Sequence, residues 1–138
     1  MIKEEFEISD SELKLNKKLY PNLGKNSHVG NQGVAIAISY LKEKGATDIQ
    51  IPKSGPDIEA VLEGKKIQYE IKATVDDKIA YSKLKVSSNQ CYELLKSGME
   101  LMRICKVGQS KVSIYFLKFG EDFELVHEPR FRVKRIKK

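Results

Sequence analysis

The chain has 138 residues, enough for one ordinary domain and too few for two. Its 25 Lys and Arg against 19 Asp and Glu leave a net charge of +6, which favours a polyanionic partner without naming it. No apolar run approaches the roughly 20 residues of a membrane span, and the opening Lys3-Glu4-Glu5 is unlike a secretory leader, so a soluble cytoplasmic protein is expected.

Residues 1–26 differ in composition from the rest. Glu4, Glu5, Glu7, Asp10 and Glu12 give way to Lys14, Lys17 and Lys18, and a short helix is expected from about Ser9 to Tyr20. Leu13 and Leu15 break its single-faced spacing, and Pro21, Asn22 and Gly24 end it. This segment reads as an N-terminal arm packed on the domain or on a second copy. A stronger helix follows over about 27–44, with Val34, Ala37, Ile38 and Leu41 at i, i+3, i+4 and i+7. Asn26 or Ser27 can cap its start and Gly45 its end. Gly30 and Gly33 lower helix stability, which predicts an irregular first turn or a close approach by another element.

Strands come next. Thr47 to Ile51 is short and closes at Pro52, and Lys53 to Pro56 is a loop. Asp57 to Leu62 and Lys66 to Thr74 form a hairpin around Glu63-Gly64. After an exposed Asp76-Asp77-Lys78, Ser87 or Ser88 caps a helix running to Lys96, with Cys91, Leu94 and Leu95 facing inward and Gly98 as its stop. A second hairpin joins Leu101–Val107 to Lys111–Phe119 through Gly108-Gln109-Ser110. The tail from Pro129 carries six Lys and Arg interspersed with Phe131, Val133 and Ile136, and suits either an edge strand with a solvated end or a phosphate-contacting arm. Cys91 and Cys105 have apolar neighbours and read as buried free thiols, neither a disulfide nor a metal site, which suits a reducing compartment.

The chemistry concentrates at the mouth of the first hairpin. Glu70 and Lys72 share one strand face while Ile71 points to the other. A two-residue Glu63-Gly64 turn pairs Asp57 with Glu70, whereas a turn at Gly64-Lys65 pairs Asp57 with Lys72 and sets Glu59 against Glu70. Both registers leave Asp57 beside the Glu-x-Lys pair. Two carboxylates so close repel until a divalent cation sits between them, and oxygen-only ligands favour Mg²⁺, with Mn²⁺ as a substitute. Such an ion polarises a phosphoryl oxygen and supplies a hydroxide-like nucleophile, and Lys72 could orient that water or stabilise charge on phosphorus. That is the equipment of a phosphodiesterase.

Pro56-Asp57, twelve intervening residues, then Glu70-Ile71-Lys72 resembles the signature of the PD-(D/E)XK nuclease superfamily, which includes type II restriction enzymes, Mrr-type endonucleases and archaeal Holliday junction resolvases. The resemblance extends over roughly residues 27–119. It implies an α/β fold with a restriction-endonuclease-like mixed sheet, in the order helix, three strands, helix, strand. An extra C-terminal hairpin strand and the partly helical arm complete it. The expected division is an arm over 1–26, a nuclease-like domain over 27–128 and a basic tail over 129–138. Asp57 and Glu70 are implied as metal ligands, the Ile71 carbonyl as a third ligand and Lys72 as the catalytic lysine. Lys85-Val86-Ser87-Ser88-Asn89-Gln90 is similar to an uncharacterised branch that includes the C-terminal domain of the plant protein NO VEIN.

Relatives in that branch carry a glutamate on the first helix, often in Gly-x-x-Gly-Glu. Here the stretch is Gly30-Asn31-Gln32-Gly33-Val34, with Val34 in the glutamate slot. Gln32 lies about 200° away around the helix, so Asn31 is the better stand-in. Ser88 and Gln90 at a helix start suit a phosphate contact or ordinary capping. His28 and His127 lack spaced partners, and Tyr69 and Tyr81 flank the site in sequence. The expected function is a Mg²⁺-dependent DNA endonuclease, as a homodimer or within a restriction or repair assembly, nucleoid-associated if it acts on DNA. A junction-resolving nuclease and a catalytically impaired nucleic-acid-binding or assembly protein are the alternatives.

Overall fold

A computed structural model of the chain describes residues 1–127 and 134–136. The first hairpin closes through two residues at positive φ, Glu63 at 52° and Gly64 at 76°, as a type I′ turn requires. Strand β3 (Ile58–Leu62) therefore meets β4 (Lys65–Ala73) with Leu62 opposite Lys65 and Ile58 opposite Tyr69. Glu59 lies opposite Gln68, which excludes the slipped register that would set it against Glu70.

The remaining elements are β1 (Ile2–Glu7), α1 (Asp10–Leu19), α2 (Asn26–Glu43), β2 (Thr47–Gln50), α3 (Asn89–Lys96), β5 (Glu100–Cys105) and β6 (Lys111–Leu117). A single 3₁₀ turn at Tyr81–Lys83 precedes α3. The six strands form one mixed α/β sheet in the order β1-β6-β5-β4-β3-β2. Only β4 and β5 run parallel, so the chain between them must cross a face of the sheet, and it carries α3 there.

Side-chain alternation sorts the sheet into two faces. Ile58, Ile71, Met102, Ile104 and Ile114 pack under α2 in the main core. Leu101 and Leu117 point the other way and meet Leu95 and Met99 from α3 and its exit. The helical stripe on α2 is wider than its spacing predicts. Ile36, Ala37, Tyr40 and Leu41 are the buried residues of its second half, while Val34 and Ile38 are partly buried at its border.

The N-terminal segment does more than lean on the domain. β1 pairs antiparallel with β6, Ile2 opposite Phe116 through Glu7 opposite Lys111, and so forms a sheet edge. Lys3-Glu4-Glu5 hides this strand in the sequence, because alternating charges are what an exposed edge tolerates and carry little strand propensity. α1 starts at Ser9, whose side chain accepts the Glu12 N–H, and it leaves Leu15 and Leu19 exposed. Apart from exposed Lys134, Arg135 and Ile136, the basic tail expected over 129–138 lies outside the described residues. Among those residues no helix is long and apolar enough to cross a membrane.

Of the two α2 glycines, Gly33 marks a close approach by another element and Gly30 does not. A Cβ built at Gly33 would lie 2.4 Å from the Ala73 Cβ, so the helix crosses β4 at a distance only glycine permits. Gly30 has nothing within 4 Å of its would-be Cβ. Urea denaturation should therefore separate the two: Gly33→Ala is expected to lower stability by about 1–3 kcal/mol through overpacking. Gly30→Ala should leave it unchanged or raise it by about 0.5–1 kcal/mol.

Candidate functional site at the mouth of the β3–β4 hairpin

The regular ladder ends with Ile58 opposite Tyr69. The Asp57 N–H also donates to the Tyr69 carbonyl, at 3.0 Å, a bulge-like bond that leaves Asp57 just beyond the ladder with its carboxylate beside Glu70. The Asp57 side chain then takes over where the ladder ends, its Oδ2 accepting the Ile71 N–H at 2.8 Å. In an antiparallel pair one residue's N–H and C=O face the same neighbour, so the Ile71 carbonyl is aimed to the Asp57 side as well. Ile71 itself buries its side chain in the main core. Glu70 and Lys72 occupy the opposite face, with Lys72 Nζ 3.5 Å from Glu70 Oε1. Lys72 is the more accessible of the two, 29% exposed against 7% for Glu70.

The first turn of α3 roofs this cluster. Ser88 caps it by accepting the Cys91 N–H at 3.1 Å. Gln90 Nε2 lies 3.3 Å from where a Gly55 Cβ would stand, so its side chain rests on the loop entering Asp57. Cys91 Sγ lies 3.8 Å from the Gly55 carbonyl and touches the Glu70 carboxylate. Cys105 is fully buried as expected, but Cys91 is only half-buried, because it faces the hairpin mouth and not the small core below α3.

Glu70 is the anomalous group. Its Oε2 is buried without a hydrogen-bond partner. Burial pushes its pKa above the usual carboxylate range; the Cys91 thiol opposes this, the Asp57 carboxylate adds to it, and the Lys72 ammonium opposes it. Burial likewise raises the Cys91 thiol, with Ser88 opposing and the Glu70 and Asp57 charges reinforcing. A buried carboxylate left half-satisfied beside a second one destabilises the fold unless a proton or a cation arrives. Two carboxylates and an adjacent backbone carbonyl are hard oxygen donors of the kind Mg²⁺ accepts while keeping several waters. Among the described residues no three His, Cys, Asp or Glu form a ready-made metal cage, and an ion that retains its waters does not require one. The donor set fits.

The other sequence candidates divide. Ser88 and Gln90 reach the edge of the cluster, whereas Asn31 is exposed on α2. Val34 is partly buried and packs its hydrocarbon on the main core. Gln32 is 1% exposed, and its Nε2 donates to the Tyr20 carbonyl at 2.9 Å, tying α2 to the end of α1. Tyr69 stacks edge-on with Phe116 inside the core, and Tyr81 is exposed. His28 Nδ1 accepts the Asn22 N–H at 3.0 Å and so serves the α1–α2 turn. Cys91 was missed as a site residue because its inward position on α3 says nothing about which strand lies beneath.

Comparison with protein-family models, with curated proteins and with solved structures found no match for this chain.

Because the folded state raises the Glu70 pKa, it favours the protonated carboxyl. That contribution is present below the ordinary carboxylate range and is lost as pH rises through the raised value. Without divalent ions, Glu70→Gln should therefore be more stable than wild type at pH 7, by about 1 kcal/mol, the scale of an unsatisfied buried group. Thermal melts should show this advantage shrinking as pH falls towards 4.

Proposed function

We propose that the chain is a metal-dependent endonuclease with a restriction-endonuclease-like core, hydrolysing phosphodiester bonds in DNA through Asp57, Glu70 and Lys72. The observation that carries this reading is the Asp57 carboxylate held by the Ile71 N–H beside Glu70, whose buried Oε2 has no partner and whose Oε1 lies 3.5 Å from Lys72 Nζ. The order α2-β2-β3-β4-α3-β5 supports it, since it follows the core that the sequence motif leads one to expect. The net charge of +6 suits a polyanionic substrate.

Asp57, Glu70 and the Ile71 carbonyl would hold the Mg²⁺, or Mn²⁺ in its place. When bound, that ion supplies Lewis acidity and a lowered pKa for a coordinated water. The chain's own part is positional and electrostatic. The Asp57 carboxylate, fixed by the Ile71 N–H, cannot swing away from Glu70. Lys72, partly exposed and tethered to Glu70, reaches towards solvent where a phosphate would lie and stabilises charge developing on its oxygens. The N-terminal turn of α3 presents the positive end of a helix dipole beside the same cluster, and Gln90 lines the entry. One such centre cuts one strand, so duplex cleavage calls for a homodimer or a larger restriction or repair assembly.

Val34 favours a second reading. With hydrocarbon where relatives have a carboxylate, the site lacks a donor for a second ion, as in a one-metal nuclease or a relative that binds nucleic acid without cutting it. A nicking assay on supercoiled, linear and four-way-junction DNA in Mg²⁺, Mn²⁺ and EDTA decides between them. The expected outcome is metal-dependent cutting that falls at least about 100-fold in Asp57→Ala and Lys72→Ala, with unchanged circular dichroism. Preference for the junction over linear duplex at equal salt would mark a resolvase. Binding that survives EDTA, with no cutting in either metal, would mark the non-catalytic relative. Equal activity in Asp57→Ala would overturn the site.

A further inference from the structure

We propose that Arg103 is a second cation of this site, which anchors a backbone phosphate of the nucleic acid next to the one that Lys72 meets. This rests on the nucleic-acid substrate of the endonuclease reading, and it adds a binding residue that lies outside the sequence motif.

The sheet register puts the two cations together. β4 and β5 are parallel neighbours with Lys72 opposite Arg103. Ile71, Met102 and Ile104 enter the main core, so both cations leave the sheet on the other face. Strands so paired lie about 4.8 Å apart, and a ligand that reaches Lys72 from solvent stands next to Arg103. Arg103 is nevertheless only 3% exposed. Its Nε donates to the Ile79 carbonyl at 2.9 Å, which fixes the guanidinium beneath the segment leading from β4 to α3.

No acid neutralises this guanidinium. Among the described residues no carboxylate stands within ion-pair distance of it, and Asp76, whose charge acts on it from farther off, is paired with Lys83 at 2.7 Å. A guanidinium carries N–H donors on each of its nitrogens. Here only Nε has an acceptor among the described residues. The sealed polar atoms without partners are Gln32 Oε1 and Glu70 Oε2, so the terminal nitrogens of Arg103, equally without acceptors, reach the surface. Burial pushes the Arg103 pKa down, and a cation held under that penalty gains from an arriving anion.

Phosphate fits what is left open. The free edge of a guanidinium spans two phosphate oxygens, and its tie to Ile79 has already fixed the fork. Lys72 beside it is the point charge for a neighbouring phosphate. A single inorganic phosphate offers the same oxygens, whereas a nucleic-acid backbone offers one phosphate to each cation.

The test measures binding of a fluorescent DNA oligonucleotide to the full chain in EDTA, over a range of salt. Arg103→Met should lower the slope of log affinity against log salt by about 0.9, the counterion release of one phosphate contact. Arg103→Lys keeps the charge and loses the fork, so it should keep the slope and bind about 3–10-fold more weakly. Urea denaturation establishes that each variant is folded before binding is read; where Arg103→Met does not fold, the affinity of Arg103→Lys decides. A variant destabilised in urea that keeps the wild-type slope and affinity marks Arg103 as a structural clamp and overturns the proposal. Stabilisation of wild type by inorganic phosphate over chloride at equal ionic strength, with the DNA slope unchanged in Arg103→Met, assigns the site to free phosphate and overturns it too. Wild type that cuts DNA, with a wild-type slope in Arg103→Met, overturns the anchor alone. A lost slope in Arg103→Met, with wild type that cuts in neither Mg²⁺ nor Mn²⁺, overturns the endonuclease and supports the anchor. Wild type with no affinity for DNA overturns both.

Discussion

Two residues of turn govern where the charges meet. Glu63 and Gly64 sit at positive φ, Leu62 faces Lys65, and every pairing up the hairpin follows, ending with Ile58 opposite Tyr69 and leaving Asp57 just beyond, beside Glu70. A one-residue slip would turn all of β3 over, sending Ile58 and Ala60 out of the main core. The buried face thus enforces the register, and the register enforces the cluster. The side chains that hold the hairpin in place, Ile58, Ala60, Ile67 and Ile71, are on the opposite face from those with chemistry to perform. The polar face is therefore free to carry an arrangement that would not be stable by itself.

That freedom has a cost, and the cost is visible in Glu70. A carboxylate under a helix roof, with one oxygen 3.5 Å from Lys72 and the other unpartnered, is not what stability alone would select. Asp57 shows the contrasting case: it substitutes for a missing strand residue by accepting the Ile71 N–H, so its carboxylate is structural on one oxygen and available on the other. The pair is unequal in burial and partners, one carboxylate fixed by the backbone and one strained by desolvation. The carboxylate most penalised by desolvation thus lies beside the one the backbone holds in place.

How much of this was legible in the chain depends on sequence distance. The hairpin, its turn, the flanking helices and the β5–β6 pair lie within local signals: turn glycines, the serine cap of α3, and periods of 2 and 3.6, although α2 starts after Lys25 without the side-chain cap expected from Asn26 or Ser27. Asp57, Glu70 and Lys72 could be brought together from the hairpin alone, because only the turn register intervenes. β1 could not, since its partner is β6, more than a hundred residues away, and its charged sequence marks an edge only once the sheet is known. Gln32 had the same difficulty. Its helix angle sets it apart from the site, but what its amide does becomes visible only when the end of α1 is placed against it and the Tyr20 carbonyl accepts its N–H. Asn31 shares the face of Val34 more nearly than Gln32 does, and it stands exposed on α2.

The parallel pairing of β4 with β5 settles what the hairpin leaves open. A parallel neighbour requires a crossover, the crossover must pack on the face that α2 does not occupy, and that face carries Glu70 and Lys72. α3 is therefore obliged to lie over the polar cluster by the same topology that completes the sheet. Its first turn descends on the open end of the hairpin, and whichever residue stands at its third position meets the carboxylates; here that residue is Cys91. The surroundings of Glu70 are therefore set by α3 as much as by the strands beneath it.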